Sequence, residues 1–112
     1  MLDAKDAKAF RAQVLESDQP TVTLFWATWC PFCRRYKPEF DKVAAKLPWR
    51  FAAVYLDDES NPLWDDYNVE VVPTLALFRG GKLVDRQDGI LGYGIDRKAT
   101  DAFVERVTKS LS

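Results

Sequence analysis

The sequence predicts an α/β protein in which a mixed sheet of four to five strands has helices on both faces. Two apolar runs, residues 22–26 and 51–56, are nearly continuous, which is typical of strands covered on both sides. Between them, apolar residues recur at steps of three and four, the spacing of one helical face; these are Phe32, Tyr36, Phe40, Val43 and Leu47. Further along, two strand patterns separated by Gly80-Gly81 indicate an antiparallel hairpin. Parallel and antiparallel neighbours together make the sheet mixed.

The chain begins with a predicted helix from about Asp3 to Leu15. Asp3 and Asp6 are both candidate N-caps, because a carboxylate at a helix start accepts hydrogen bonds from unpaired backbone N–H groups. The inward stripe of this helix consists of Ala7, Phe10 and Val14. Turn-forming residues 17–20 then end it.

A βαβ unit follows the first helix. The strand Val22–Trp26 leads into a helix that starts at about Pro31. Pro48 stops the helical periodicity before the second strand, residues 51–56. A right-handed crossover is the strong default for such a unit.

The second half of the chain adds a short helix, a hairpin and a closing helix. The short helix is predicted from about Pro62 to Tyr67, and the hairpin strands span residues 74–78 and 82–86. Asp96 is the predicted cap of the last helix. The inward face of that helix is Ala99, Phe103, Val107 and Leu111. The order is therefore αβαβαββα, and we expect a single domain spanning residues 1–112.

Composition narrows the class of protein. Of the 112 residues, 47% are hydrophobic, which is enough for one core without disulfide or metal staples. Sixteen basic residues against seventeen acidic ones leave no basic surface for nucleic acid or an anionic membrane. No apolar run approaches the length of a transmembrane helix, and the amino-terminal residues alternate charges and alanines. We therefore expect a cytoplasmic monomer with no nucleic-acid or membrane partner.

The only two cysteines, Cys30 and Cys33, fall where the first strand of the βαβ unit ends and its helix begins. Unpaired N–H groups and the helix dipole favour a thiolate at such a place, and the thiolate is the nucleophilic form. A closed zinc site takes four ligands, and the chain has no histidine and no third cysteine. A structural disulfide closing so short a loop would stabilise the fold little. The position of the pair therefore favours redox chemistry without a metal.

The segment from Trp26 to Cys33, Trp-Ala-Thr-Trp-Cys-Pro-Phe-Cys, resembles the active-site segment of the thioredoxin family, Trp-Ala-x-Trp-Cys-x-x-Cys. Val72-Pro73-Thr74 is similar to the family's second signature, and Gly80-Gly81 matches its hairpin turn. The resemblance covers nearly the whole chain and implies a thioredoxin fold. At most Met1 and Leu2 remain for the strand that precedes the first helix in the family.

The resemblance also implies a thiol–disulfide oxidoreductase that needs no cofactor beyond a Cys30–Cys33 disulfide. Cys30 would attack a protein disulfide to form a mixed disulfide, and Cys33 would resolve it. A cis Val72–Pro73 bond would face the pair beside a groove that binds an extended substrate segment. The implied substrate-binding residues are Trp29, Pro31, Phe32, Val72, Pro73, Thr74 and Gly89. A reductase or glutathione would supply the electrons.

Two departures from the family pattern affect this chemistry. Leu24 stands where thioredoxins usually have a buried aspartate, and Ala53 or Val54 stands where a lysine often accompanies it. The base for Cys33 would then be water or the leaving thiolate of the first cysteine. Pro31-Phe32 replaces the usual Gly-Pro and resembles the dipeptides of glutaredoxins and strong periplasmic oxidants. We therefore expect a redox potential less reducing than that of thioredoxin.

Two alternative functions remain open on the sequence. One is a glutaredoxin-like reductase of glutathione mixed disulfides, which the dipeptide suggests but the flanking Trp-Ala-x-Trp does not. The other is an adaptor that binds a partner while its cysteines stay idle. Replacing Cys33 with serine separates them, because only an enzyme should accumulate mixed disulfides through Cys30.

Overall fold

A five-stranded sheet with helices on both faces is present in the computed structural model, which describes all residues, 1–112. The strands are β1 (Leu2–Ala4), β2 (Thr21–Trp26), β3 (Arg50–Tyr55), β4 (Thr74–Arg79) and β5 (Lys82–Asp88). The helices are α1 (Ala7–Phe10, continued by a π-helical segment Arg11–Leu15), α2 (Pro31–Lys46), α3 (Leu63–Asp66) and α4 (Arg97–Leu111). The predicted fold class is confirmed. None of the helices has the length and apolar character needed to cross a membrane.

Strand directions decide which loops meet. The sheet order is β1-β3-β2-β4-β5, with β1, β3 and β2 parallel and the pairs β2/β4 and β4/β5 antiparallel. Gly80 and Gly81, between β4 and β5, have φ angles of 60° and 78°, as the predicted tight turn requires. Because β4 runs against its neighbours, the carboxyl ends of β2, β3 and β5 lie at the same edge as the amino end of β4.

The prediction that the first helix begins near Asp3 is wrong. Leu2–Ala4 form β1, which pairs in parallel with β3, and Ala4 is fully buried there. The helix is capped by Asp6, whose carboxylate accepts a hydrogen bond from the N–H of Ala9 at 2.8 Å. The order is therefore βαβαβαββα, because three residues that show no periodicity of their own gain backbone hydrogen bonds from a neighbouring strand.

Aromatic side chains pack the helices onto the two faces of the sheet. On one face, Phe10 of α1 lies against Phe25 of β2 and Phe78 of β4, with ring centroids 5.9 and 5.2 Å apart. On the other face, Phe40 of α2 lies 5.9 Å from Phe51 of β3. These contacts hold α1 and α2 on opposite faces of the sheet.

Helices α2 and α4 are also joined to each other. The hydroxyls of Tyr36 and Thr100 share a buried hydrogen bond of 2.7 Å. Burial raises the pKa of Tyr36 to about 12, so the phenol stays neutral at physiological pH. At the start of α4, the carboxylate of Asp96 accepts from the N–H of Ala99 at 2.7 Å, which confirms the predicted cap.

Candidate active site

Cys30 and Cys33 lie at the start of α2, both as free thiols. Cys30 is the N-cap, with extended backbone (φ −90°, ψ 120°), and Pro31 is the first helical residue. Proline suits that position because its ring fixes a helical φ. It also lacks an N–H, which costs nothing there because N–H groups in the first turn have no partner within the helix. Cys30 is 7% exposed and Cys33 is 0% exposed, so Cys30 is the thiol nearer to solvent.

The surroundings of Cys33 keep its proton in place. Burial raises the pKa of the Cys33 thiol to about 12, chiefly because the ionised sulfur would lose its contacts with water. A hydrogen bond with the backbone of Ala27 acts in the opposite direction, whereas the neighbouring Cys30 thiol and the Asp57 carboxylate raise the pKa further. Cys33 is therefore a neutral thiol near pH 7.

The loop that precedes β4 lies against the thiol of Cys30. The Val72–Pro73 bond is cis, as the resemblance implied. The Cys30 thiol donates to the carbonyl of Val72, with the sulfur 3.8 Å from the oxygen. The hydroxyl of Thr74 donates to the carbonyl of Val71 at 2.6 Å, which ties the first residue of β4 back to the loop. Predicted site residues from two distant parts of the chain therefore meet here.

Two glycines pack against this loop. A Cβ atom at Gly89 would overlap the carbonyl oxygen of Pro73, so this position needs glycine for the packing of the chain itself. Gly94, which no sequence signal placed at the site, has a φ of 96° and is buried. A Cβ atom there would lie 3.4 Å from the Cβ of Phe32 and 4.0 Å from the Cδ of Pro73.

Asp57 is a site residue that sequence reasoning missed. Its carboxylate accepts from the N–H of Thr28 at 2.9 Å and from the Thr28 hydroxyl at 2.5 Å. Its carbonyl oxygen accepts from the indole N–H of Trp29 at 3.0 Å. Arg34 donates to the carbonyl of Thr28 at 3.1 Å, so the turn is held on both sides. The sequence contained a signal for this contact. Asp57 closely follows β3, and the carboxyl ends of parallel neighbours such as β3 and β2 lie at the same edge of the sheet, so Asp57 could be expected beside the turn that follows β2.

The three cations near the start of α2 each have another partner. Arg34 is bonded to the turn, Arg35 lies over the ring of Phe32 at 5.5 Å, and Lys37 pairs with Asp41 at 2.8 Å. No hydrogen bond joins any of them to a cysteine sulfur.

The two positions that depart from the family pattern are neighbours in the sheet. Leu24 of β2 has Ala53 of β3 as its register partner, and both are fully buried. Ala53 is therefore the residue beside Leu24, whereas Val54 is paired with Phe25. Neither member of the Leu24–Ala53 pair can donate or accept a proton, and the carboxylate whose charge acts on Cys33 is that of Asp57.

Two cavities border α2, one along its middle and carboxyl end and one near its start. A groove of about 660 Å³ runs between α2 and α4 and contains neither cysteine. A smaller cavity of about 300 Å³ is lined by residues that include Phe32, Arg35 and Tyr93, and so borders the active-site turn. No group of three or more histidine, cysteine or carboxylate side chains is placed to hold a metal ion.

Comparisons with known proteins agree with this geometry. The family model described as thioredoxin matches residues 2–101. Thioredoxin 1 of Nostoc sp. is 36% identical over 77 residues, which are 68% of this chain and 72% of that protein. A bifunctional thioredoxin reductase/thioredoxin of Mycobacterium leprae is 35% identical over 101 residues, 82% of this chain and 22% of that protein. The X-ray structure of Fasciola hepatica thioredoxin superposes with a TM-score of 0.75 at 26% identity, covering 95% of this chain and 98% of that one.

These matches favour neither the glutaredoxin-like enzyme nor the idle adaptor. The sheet, the paired thiols and the relatives agree on exchange of a dithiol for a protein disulfide. The chain belongs to the thioredoxin family and is a thiol–disulfide oxidoreductase.

Proposed function

We propose that Cys30 is the attacking thiol and that Cys33 is the resolving thiol. The Cys30 thiolate attacks one sulfur of a partner disulfide, so that a mixed disulfide forms and the other partner sulfur leaves as a thiolate. Cys33 then loses its proton and attacks the sulfur of Cys30. The Cys30–Cys33 disulfide forms, the second partner thiolate leaves, and two electrons have passed to the partner.

The difference in burial between the two sulfurs carries this assignment. Cys30 is the thiol nearer to solvent and lies beside the Val72 carbonyl, whereas Cys33 is fully buried behind it. Cys30 retains 7% exposure and Cys33 none, so a partner sulfur approaches Cys30 more easily. Attack by Cys33 would require the helix start to open first.

A groove beside Cys30 binds the partner segment in this proposal. Trp29 is 52% exposed and is held by the carbonyl of Asp57, so it offers a fixed apolar wall. Pro31 is exposed and Phe32 half-buried, and in this proposal the backbone of Val72 and Pro73 provides the second wall for an extended chain. Two predicted members, Thr74 and Gly89, also support this wall through their packing within the protein. Thr74 is 1% exposed and bonded to the loop, and Gly89 leaves room for the Pro73 carbonyl.

Replacement of single cysteines tests the assignment. Cys33→Ser should trap mixed disulfides with protein partners, which non-reducing gels and mass spectrometry of tryptic peptides would locate at Cys30. The matched variant Cys30→Ser should trap none. Trapping through Cys33 in the Cys30→Ser variant would overturn the assignment.

The electron donor in this proposal is a thioredoxin reductase rather than glutathione. One relative is a bifunctional thioredoxin reductase/thioredoxin, which supports that pairing. Oxidised protein should be reduced by NADPH and a bacterial thioredoxin reductase at least tenfold faster than by an equal electron supply from glutathione and glutathione reductase. Faster reduction by glutathione would contradict the proposal.

Residues 1–112 act in this proposal as one domain and one monomer in the cytoplasm. The 26 buried residues of the core form a single cluster that links the sheet to helices on both faces, which supports one domain. A pair of cysteines without structural disulfides suits a reducing compartment. Sedimentation should give a monomer, and cell fractionation should recover the protein with cytoplasmic markers.

A further inference from the structure

The segment that contains Val72 and Pro73 makes few backbone hydrogen bonds. We call residues 68–73 the cis-proline loop. Residues 70–73 make no backbone–backbone hydrogen bond. A cavity of about 380 Å³ separates the loop from the end of β5 and is lined by Asn68, Glu70, Val71, Arg86, Asp88 and Gly89. Along this side of the loop, therefore, neither strand pairing nor packed side chains join it to β5.

Arg86 of β5 spans this gap. Its guanidinium donates to the carbonyls of Tyr67 at 2.6 Å and Asn68 at 3.4 Å, and its Nε donates to the carboxylate of Asp88 at 2.7 Å. No other side chain of β5 hydrogen-bonds to residues 67–73. Hydrogen bonds from a charged donor are stronger than those between neutral groups. Because the guanidinium is planar, the three bonds also fix their acceptors relative to one another.

The two carbonyls that Arg86 binds lie where the chain leaves α3. Asn68 has a φ of 51°, and the N–H of Val69 donates back to the carbonyl of Trp64 at 2.9 Å, as at many helix ends. No backbone N–H donates to the carbonyl of Tyr67 or Asn68. Arg86 therefore supplies the protein donors for both groups at the start of the cis-proline loop.

The other end of the loop is also tied to the end of β5. The N–H of Gly89 donates to the hydroxyl of Thr74 at 3.4 Å, and that hydroxyl donates to the carbonyl of Val71 at 2.6 Å. The carbonyl of Val72, which accepts from the Cys30 thiol, lies between the two ties along the chain. Its position relative to the sulfur therefore depends on both.

We propose that Arg86 is a positioning residue for thiol–disulfide exchange. It holds the cis-proline loop so that the backbone of Val72 and Pro73 is ordered before an extended partner segment binds beside Cys30. This inference rests on the proposed roles of Cys30 and of that backbone as one wall of the groove. A partner segment that pairs with a mobile loop must order it, which weakens binding. A small disulfide that contacts only the sulfur has no such requirement.

Single turnovers with a large and a small disulfide substrate test the proposal. Reduced protein is mixed with insulin or with bis(2-hydroxyethyl) disulfide, so no electron donor is needed, and acid quenching followed by alkylation gives the rates. Arg86→Met should raise the half-saturating concentration of insulin about tenfold, because the groove wall is no longer ordered, and should leave the maximum rate unchanged. The rate constant for the small disulfide should stay within about twofold of wild type.

Arg79→Met is the matched control. Arg79 also donates to a backbone carbonyl, that of Ser110 at 3.1 Å, but it lies at the end of β4, at the opposite edge of the sheet from the cysteines. This variant should react with both substrates as the wild type does. In NMR spectra, the amide signals of residues 69–72 should shift or broaden in Arg86→Met and stay in place in Arg79→Met.

The remaining outcomes are also decisive. An equal loss with both substrates, a lower maximum rate at an unchanged half-saturating concentration, or no change at all would overturn the positioning role. If Arg86→Met does not fold, Arg86→Lys repeats the test, with an expected rise of about threefold for insulin because one ammonium cannot bind all three acceptors. If Cys33→Ser traps no insulin through Cys30, the proposed function itself fails. Trapping of insulin together with wild-type behaviour of Arg86→Met removes only the role of Arg86.

Discussion

Cys30 and Cys33 have the same side chain, and their surroundings give them different chemistry. Cys30 caps a helix, retains 7% exposure and donates to the Val72 carbonyl. Cys33 sits one turn further along, away from solvent, and burial raises its pKa to about 12. The first sulfur is therefore available to a partner, and the second must lose a firmly held proton before it can react.

Resolution of the mixed disulfide should depend steeply on pH. Burial is the main cause of the raised Cys33 pKa and persists in the mixed disulfide, so the thiolate fraction of Cys33 should rise about tenfold for each pH unit well below that pKa. The rate at which the mixed disulfide decays should therefore increase about tenfold per unit between pH 7 and pH 9, without a plateau. Stopped-flow measurement on wild-type protein gives this rate, and Cys33→Ser isolates the preceding attack step. A rate that is flat above pH 7 would mean that Cys33 ionises far more easily than its burial indicates.

Gly89→Ala should disturb the active site through the Pro73 carbonyl. The new Cβ has no space, so the backbone must shift, and we expect a loss of about 2 kcal/mol in the free energy of unfolding. Gly80→Ala is the control, because that position has a φ of 60° but nothing within 4 Å of the added Cβ. It should cost about 1 kcal/mol and leave disulfide reduction unchanged. Urea denaturation and a disulfide reductase assay measure both quantities, and equal activity of the two variants would contradict the packing role of Gly89.

At the scale of elements, the site results from strands that end at one edge of the sheet. The end of β2 delivers the turn with the cysteines, the end of the parallel strand β3 delivers Asp57, and the start of the antiparallel strand β4 delivers Pro73. Strand β5 returns to that edge, where Asp88 pairs with Thr74 and Gly89 follows. On one face of the sheet, the Tyr36–Thr100 hydrogen bond joins helix α2 to helix α4, and Asp96 caps the start of α4.

Removal of the α4 cap should lower stability without changing the chemistry. Asp96→Ala deletes the acceptor for the N–H of Ala99 and should cost about 1 kcal/mol in the free energy of unfolding. Asp101→Ala removes an exposed carboxylate from the same helix and should change stability by less than about 0.5 kcal/mol. Urea denaturation of both variants measures the difference. Equal stability of the two would show that the cap does not hold α4.

For the whole molecule, the redox potential measures the free-energy difference between the dithiol and the disulfide form. Two features of this chain bear on that difference. The Leu24–Ala53 pair offers no acid or base beneath the site. Pro31, as the first helical residue, fixes the backbone between the cysteines but offers no N–H to a sulfur. Both features differ from the pattern of thioredoxins proper and lead to the prediction of a less reducing potential.

The potential should lie above the value of about −270 mV that is typical of thioredoxin. Equilibration with glutathione buffers, followed by alkylation and mass spectrometry, measures it. The double variant Pro31→Gly, Phe32→Pro restores the common dipeptide and should move the potential by at least about 30 mV toward the reducing side. Val84→Ser serves as the unaffected control. A wild-type potential as reducing as −270 mV would show that the dipeptide does not set the value in this chain.

Several parts of the fold and site were predictable because their signals are local. Helix α2 and strands β2 and β3 follow from hydrophobic periodicity, and the β4–β5 turn follows from two adjacent glycines with positive φ. The cysteines could be placed at a helix start because Pro31 favours the first helical position. The roles of Cys30 and the groove residues remain predictions until the variants above are measured.

The sequence by itself determined the fold class, the family and the thiol pair, since periodicity, turn residues and short motifs act over a few neighbouring positions. Only the tertiary structure decided that Leu2–Ala4 form a strand, that Asp57 holds the active-site turn, and that Gly94 packs against Phe32 and Pro73. Each of these depends on contacts between residues far apart in the chain. The direction in which neighbouring strands run creates such contacts, and no stretch of sequence contains that information on its own.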